Sequence, residues 1–476
     1  MQDSILSVVQ AINAYLADYI LIILLLGIGL FYTIKTRFVQ VRCFGEGMKK
    51  VFGNLSLKGN KDGQGLSSFQ ALATAIAAQV GTGNIVGASG AILIGGPGAI
   101  FWMWVIAFFG MATIYAEAVL AQETREIDSD GNVHGGPVYY IKKAFPNGFG
   151  TFLSVFFAIA ITLALGFMGS MVQSNSIAEA CNTAFPAIQP WVIGLIVAVI
   201  SAFIFIGGIK RIASVTEKLV PIMAVLFLIG GLIVLIARIQ YVPATIGMIF
   251  KFAFTPDALI GGGIGYAIKT AISQGAKRGL FSNEAGMGST PHAHAMAEVE
   301  KPHDQGVVAM IGVFIDTFVV LTMTALVVIS ALYTEGGILS GLAGDTYIAA
   351  TSGAEAIVSK TNAMQMAFTN ALPALGNFGS IFVAVCLLFF AFSTIISWNF
   401  FGKLNVQYLF KKNMKVATII NSVVAVLFIF LGSCLQNDLV WELTDFFNYL
   451  MVLPNVIALF ALSKLVVKAS KSNKDK

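Results

Sequence analysis

Gln79-Val80-Gly81-Thr82-Gly83-Asn84-Ile85-Val86-Gly87 lies in the middle of an otherwise apolar run, residues 68–95. A run of about 20 mostly apolar residues is long enough to cross a bilayer as a helix. Each glycine inside a helix costs about 1 kcal/mol relative to alanine, and here Gly81 and Gly83 flank a threonine and precede an asparagine. Two readings fit this cluster. It is a close helix-packing face of small residues, or it is a break. A break at mid-bilayer frees backbone N–H and C=O groups, which is tolerated only where they line a cavity or bind something.

The rest of the chain supplies the membrane. Of its 476 residues, 57% are hydrophobic and only 11% are charged, against about 25% charged in an ordinary soluble protein. Mean hydropathy is +0.83. Runs of spanning length recur near 14–35, 68–95, 99–122, 149–181, 190–208, 214–238, 257–278, 306–333, 377–400, 415–434 and 438–463. Inside hydrocarbon such segments must be helices, because a helix satisfies its own backbone. The short alternating segments of a membrane barrel are absent from the pattern. The expectation is an all-α integral membrane protein of 11 transmembrane helices. The first apolar run, Leu21 to Phe31, follows Asp3 and Asp18 and precedes Lys35, Arg37 and Arg42. That is a retained helix, not a cleaved signal.

Lysine and arginine placement sets orientation. Of the 29 basic residues, 25 fall in 35–61, 125–143, 210–218, 277–301, 403–415 and 464–476, all on one side of an eleven-span topology. Arg238, Lys251 and Lys360 fall on the other, and Lys269 lies within a span. A wrong span count would scramble this alternation. The N-terminus is therefore expected outside and the C-terminus inside. The net charge of +5 is read as membrane orientation, with no nucleic-acid partner. Cys43, Cys181, Cys386 and Cys434 are scattered, giving no disulfide framework and no zinc spacing.

The span 257–278 carries a second interruption, with Gly261-Gly262-Gly263 and Gly265 near its outer end and Ser273-Gln274-Gly275 deeper. Paired interrupted spans in corresponding positions of two halves point to a transporter site. With the first helix set aside, the interrupted spans are the first and sixth of ten, and each opens a unit of five. An odd number of spans inverts the second unit. The expected divisions are 1–67 (N-terminal helix and basic loop), 68–238 (first repeat), 257–463 (second repeat) and 464–476 (tail). The external stretch 334–375 is long for a simple connection and holds candidates for short amphipathic helices.

Several longer motifs carry a resemblance. They are Gly81-Thr82-Gly83-Asn84-Ile85 with Gly95-Gly96-Pro97-Gly98-Ala99-Ile100-Phe101-Trp102-Met103-Trp104, and Arg278-Gly279-Leu280-Phe281-Ser282-Asn283-Glu284-Ala285-Gly286-Met287-Gly288-Ser289 followed by His292-Ala293-His294. Gly312-Val313-Phe314-Ile315-Asp316-Thr317 and Phe392-Ser393-Thr394-Ile395-Ile396-Ser397-Trp398 join them. In this order, over about residues 15–465, they resemble the alanine/glycine:cation symporter family of the amino acid–polyamine–cation superfamily. The resemblance implies a leucine-transporter-type fold, a 5+5 inverted repeat with broken first and sixth core helices.

Broken-helix physics suggests the site. A half-helix starting near Asn84 offers free N–H groups and a positive dipole end to a carboxylate, with the amides of Thr82 and Gly83 as donors. The preceding half-helix ends in free carbonyls at Ala77 and Val80, which suit a hard cation such as Na⁺. The resemblance implies that Ser393 and Thr394 complete the cation site, that Gln173 reaches the substrate and that Trp398 walls the pocket. Ser273 is the candidate from the second interrupted span. Gln173 could instead make an ordinary interhelical hydrogen bond, and Trp398 could be an interfacial belt residue. Asp316, about ten residues into its span, is a functional candidate because an intramembrane charge is costly; the alternative is structural pairing, with Lys269 for instance. Glu117 is read as structural.

Catalytic readings fail. His292-Ala293-His294 has no evident third metal ligand and is expected in a cytoplasmic loop. Gly286-Met287-Gly288-Ser289-Thr290 lacks the phosphate-loop pattern. The chain is thus expected to be no enzyme and to need no cofactor beyond a coupling ion, Na⁺ or else H⁺. The expected function is import of alanine or glycine, with serine and glutamine as further candidates, by a monomer in the cell membrane. A channel is the rival class. The topology predicts that a Ser472→Cys variant escapes impermeant thiol reagents in intact cells; its labelling there would contradict an inside C-terminus.

Overall fold

The computed structural model describes residues 2–53, 66–129, 133–206, 208–254, 263–340 and 358–471. Gly261 and Gly262, much of 334–375 and the end of the tail lie outside these. Along the chain, the helices used below are α1 (Ser4–Lys35), α2 (Phe44–Phe52), α3 (Ser68–Gln79) and α4 (Gly83–Gly95). Next come α5 (Gly98–Thr124), α6 (Gly148–Ala184), α7 (Pro190–Phe205) and α8 (Arg211–Ala237), α9 (Val242–Phe254), α10 (Gly263–Asn283) and α11 (Pro291–Ala295). The last are α12 (Pro302–Leu332), α13 (Ala363–Ala371), α14 (Phe378–Leu409), α15 (Lys411–Gly432) and α16 (Asn437–Ala461).

Among the described residues, eight helices are long and apolar enough to cross a membrane, or nine if the bent pair α3/α4 is one span. Two further expected spans take other forms. Within the expected span 190–208, Pro190–Phe205 form α7, whose 16 residues reach about 24 Å. Of residues 257–278, those described, 263–278, fall on α10, which carries Lys269, Lys277 and Arg278.

α3 begins with a reciprocal cap: Gln70 N donates to Ser67 Oγ and Ser67 N to Gln70 Oε1, both at 3.1 Å. It ends at Val80, where ψ turns to 85°. α4 resumes with a π-helical turn over Gly83–Gly87, and the two halves meet at a 45° bend. The break read from Gly81-Thr82-Gly83 is present, and so is the packing face. A Cβ on Gly81 would sit 2.4 Å from Thr394 Oγ1, and one on Gly83 would sit 3.0 Å from Ser282 Cα.

The second break lies elsewhere than the sequence predicts. α10 runs unbroken through Ser273-Gln274-Gly275 to Asn283. Gly275 is a packing glycine, since a Cβ there would meet Trp102 Cβ at 2.6 Å and Ala99 O at 2.9 Å on α5. The irregular stretch is Glu284–Thr290, with positive φ at Glu284 (58°), Gly286 (91°) and Gly288 (79°). His292 and His294, expected in a cytoplasmic loop, are each 1% exposed within α11. Lys277 and Arg278 likewise move from loop to helix. Removing those two from the 25 leaves 23 of the 29 basic residues on the expected inner side.

A further helix escapes the sequence reading altogether. α9 lies in what reads as an external connection. It packs so tightly on α5 that a Cβ on Gly98 would lie 2.2 Å from the Phe252 carbonyl, and Trp102 Nε1 donates to Ala253 O at 3.2 Å. Its 13 residues fall below spanning length, which is why hydropathy does not find it. In the stretch 334–375, α13 supplies one of the short helices foreseen there.

Buried carboxylates hold the irregular backbone. Glu117 on α5 accepts Gly286 N–H at 3.0 Å, Gly288 N–H at 2.9 Å and Asn455 Nδ2 at 2.7 Å. Asn455 also donates to Gly286 O at 2.9 Å. The structural role read for Glu117 thus has a definite form: it clamps the 284–290 break to α5 and α16. Glu117→Ala strands two buried amide donors, each costing about 1–3 kcal/mol. Its melting temperature in detergent is expected to fall well below that of Glu117→Gln, which keeps one acceptor; equal melting of the two variants would refute the clamp.

Candidate functional site

The two breaks touch. A Cβ on Gly83 would sit 3.0 Å from Ser282 Cα and 3.1 Å from the Phe281 ring, and Gln79 Nε2 donates to Asn283 O at 2.8 Å. Around this junction the structure gathers residues from six helices, α3, α4, α6, α10, α12 and α14. Asn84 folds back so that Gly81 N–H reaches its Oδ1 at 3.0 Å, while its Nδ2 donates to Asp316 Oδ1 at 2.6 Å and to Asp316 O at 3.1 Å. Asp316 sits in a π-helical turn of α12, Phe314–Leu321, a local form frequent at functional sites. It also accepts Ser282 Oγ (3.1 and 3.0 Å) and Thr317 Oγ1 (2.8 Å). Lys269, the partner weighed for it, lies instead over the Tyr19 ring at 4.9 Å.

Gln173 on α6 is turned toward the first break. Its Oε1 accepts Thr82 N–H at 3.2 Å. Its Nε2 and the hydroxyl of Thr82 are both buried, with no protein partner among the described residues. A buried polar group without a partner costs about 1–3 kcal/mol, and these two leave free hydrogen-bonding capacity side by side at the break.

One turn before the break lies a second polar cluster. Thr394 Oγ1 donates to Ala77 O at 2.8 Å and Ser393 Oγ to the same carbonyl at 3.4 Å. Both hydroxyls also bond back to Phe390 O, at 3.1 and 2.8 Å. Back-bonding of this kind is common for Ser and Thr in helices. Here it sets the two side-chain oxygens beside the end of α3. Val80, the other carbonyl predicted for the cation, marks the residue at which that helix stops.

Trp398 is 1% exposed, unlike a residue of an interfacial belt. Its Nε1 donates to Glu284 Oε1 at 2.5 Å, its ring meets Phe281 edge-on at 5.7 Å, and a Cβ on Gly169 would strike it at 2.4 Å. Glu284 further accepts Ser289 Oγ at 2.5 Å. Beyond Phe281 lies Trp441, 4.8 Å between ring centroids, with Arg278 above it at 4.8 Å and paired to Asp445 at 3.0 Å.

Ala77, Val80, Thr82, Gly83, Asn84, Gln173, Ser393, Thr394 and Trp398 therefore gather at or beside the junction. Ser273 does not. It lies nine residues before Ser282 on one helix, a rise of about 13 Å. Phe281, Ser282 and Glu284 are the site-lining residues that the sequence reading passes over. The signal for them is present: Ser282, Asn283, Glu284 and two glycines follow an apolar run, but Lys277 and Arg278 read as the end of that span.

Residues 2–476 match the model of the sodium:alanine symporter family. The sodium/alanine symporter AgcS of Methanococcus maripaludis is 40% identical over 98% of this chain and 96% of its own. The putative sodium/proton-dependent alanine carrier protein YrbD of Bacillus subtilis is 40% identical over 97% and 91%, and the probable sodium/glutamine symporter GlnT of that organism 36% over 99% and 91%. With a match along its whole length and relatives this similar, the chain belongs to the sodium:alanine symporter family.

Proposed function

We propose that this sodium-coupled amino-acid symporter takes up alanine or glycine at the junction of its two helix breaks and carries it by alternating access. One observation carries the reading: the Thr82 hydroxyl and Gln173 Nε2, buried at the first break without a protein partner among the described residues, lie one turn from the hydroxyl and carbonyl oxygens of Thr394, Ser393 and Ala77. A zwitterion needs donors for its carboxylate and acceptors for its ammonium. The backbone at Thr82 and Gly83, the Gln173 side chain and the Asp316–Asn84 network offer both. Na⁺ takes oxygen ligands from Ala77, Val80, Ser393 and Thr394. Phe281 and Trp398 close the sides, which favours a small side chain over that of glutamine.

Eleven spans, in a 5+5 inverted arrangement after the first helix, account for this junction. The span opening 68–238 breaks within itself, whereas α10, which opens 257–463, breaks only past its end at Glu284–Thr290; contact between the two irregular stretches supports the pairing. The charge asymmetry supports an outside N-terminus and an inside C-terminus.

In proteoliposomes, an inward Na⁺ gradient is expected to drive concentrative uptake of labelled alanine, with counterflow exchange of unlabelled alanine marking a carrier. Uptake unchanged when choline replaces Na⁺ on both sides would reject Na⁺ coupling, and a proton gradient imposed separately tests H⁺. Serine and glutamine enter the same assay as competitors.

The cation site has its own test. Ser393→Ala and Thr394→Val remove hydroxyls while nearly preserving shape. Combined, they are expected to raise the Na⁺ concentration for half-maximal uptake by roughly tenfold or more, because ligand number tunes cation affinity. Apparent alanine affinity should fall with it at low Na⁺ and partly recover at saturating Na⁺. A Na⁺ titration overlaying the wild-type curve would leave these hydroxyls with only their bonds to Phe390 and Ala77.

A further inference from the structure

Cys43, Glu46 and His303 meet away from the transport site, where α2 packs against the start of α12. One ligand atom from each, the Cys43 thiol sulfur, a Glu46 carboxylate oxygen and a His303 ring nitrogen, lies within 4.8 Å of the other two. Cys43 is the residue before α2, Glu46 is in its first turn, and His303 is in the first turn of α12. The cysteine spacing alone shows no such site, because the third ligand comes from 257 residues away. We propose that these three side chains bind a divalent transition-metal ion of the zinc class, fixing α2 to α12.

The chemistry of the donor set favours zinc. Thiolate and imidazole select borderline-soft ions, and a carboxylate completes sets of this kind. Zinc–ligand distances of about 2.0–2.3 Å in a tetrahedron place neighbouring ligand atoms about 3.4 Å apart. His303 Nε2 and Glu46 Oε2 are 3.4 Å apart. The His303 ring is already oriented, because its Nδ1 is hydrogen-bonded to the Tyr115 hydroxyl at 2.7 Å. Second-sphere bonds of this type hold a ligating imidazole in place and direct its other nitrogen at the metal.

Access and charge agree. Cys43 and His303 are 6% and 1% exposed, whereas the Glu46 side chain is 32% exposed and gives the ion a way in. Lys50 is a nearby cation, 4.0 Å from Glu46 and 3.2 Å from Asp304, and Arg42 precedes Cys43 in the chain. The Lys50 side chain is 35% exposed and keeps Asp304 as a partner when a metal takes Glu46. A water molecule would supply the fourth position.

The test uses the purified full chain in detergent with any histidine tag removed. Co²⁺ titration reports thiolate ligation through its near-ultraviolet charge-transfer band, and Zn²⁺ competes for the same site. Wild type is expected to bind one equivalent with the thiolate band, and to melt higher with Zn²⁺. Cys43→Ser should abolish the band, and His303→Gln should weaken Co²⁺ binding at least tenfold. A variant with Cys181, Cys386 and Cys434 all changed to serine should bind as wild type does. Because Cys43→Ser is nearly isosteric, its metal-free melting temperature checks the fold independently. Absence of the band at saturating Co²⁺ in wild type, or its persistence in Cys43→Ser, overturns the proposal.

Discussion

Everything at the centre of this protein depends on one constraint: backbone polar groups within a membrane must be satisfied, and here two helices leave theirs open side by side. An unbroken helix satisfies its own N–H and C=O groups; a broken one must find partners in its neighbours. The first break finds them in Asn84 and Gln173, which take the Gly81 and Thr82 amides. The second finds them in Glu117, which takes the amides of Gly286 and Gly288. Gln79 then ties one break to the other through Asn283 O. The polar residues that would be expensive elsewhere in the bilayer are the ones that make these breaks affordable.

The same constraint explains why small residues crowd the junction. Gly83 brings the α4 backbone against Ser282, and Gly81 admits the Thr394 hydroxyl. Packing and binding therefore do not compete as explanations of the glycine cluster. Close approach by glycine places backbone amides, a glutamine and two hydroxyls within a few ångströms of each other. A substitution such as Gly83→Leu would collide with the backbone of α10 before it met any ligand, so loss of function there reports on packing first. The unpartnered Thr82 and Gln173 atoms separate the two effects more cleanly.

Much of this was legible in the sequence, and the failures have physical causes. Gly81-Thr82-Gly83-Asn84, two glycines and two polar residues in an otherwise apolar span, reads as either a break or a packing face, and it is both. Ser273-Gln274-Gly275 looks similar in composition, yet its glycine serves close packing on Trp102 and Ala99 and the helix continues. Composition cannot separate a glycine that breaks from one that packs; the partner across the interface decides. The true second break was disguised as a loop because Lys277 and Arg278 seem to end the span. The protein tolerates Arg278 inside by pairing it with Asp445 and laying it over Trp441. α9 stayed hidden because its role is to cover α5, and nothing in a 13-residue apolar stretch announces a tertiary contact.

Coupling between cation and amino acid follows from how few residues separate their proposed sites. Ala77 and Val80 end α3, and Thr82 and Gly83 lead into α4. A cation drawing in the Ala77 carbonyl with Thr394 would fix the last turn of α3. That turn sets where the Thr82 amide and hydroxyl point, because only Val80 and Gly81 intervene. Thr394 also abuts Gly81, so one side chain touches the cation's carbonyl and the hinge of the break together. An ion that orders this hinge lowers the cost of ordering it again for the amino acid, and by reciprocity the amino acid tightens the ion by the same factor. On this reading no separate transmission pathway is needed, since both ligands act on the same short length of unwound chain.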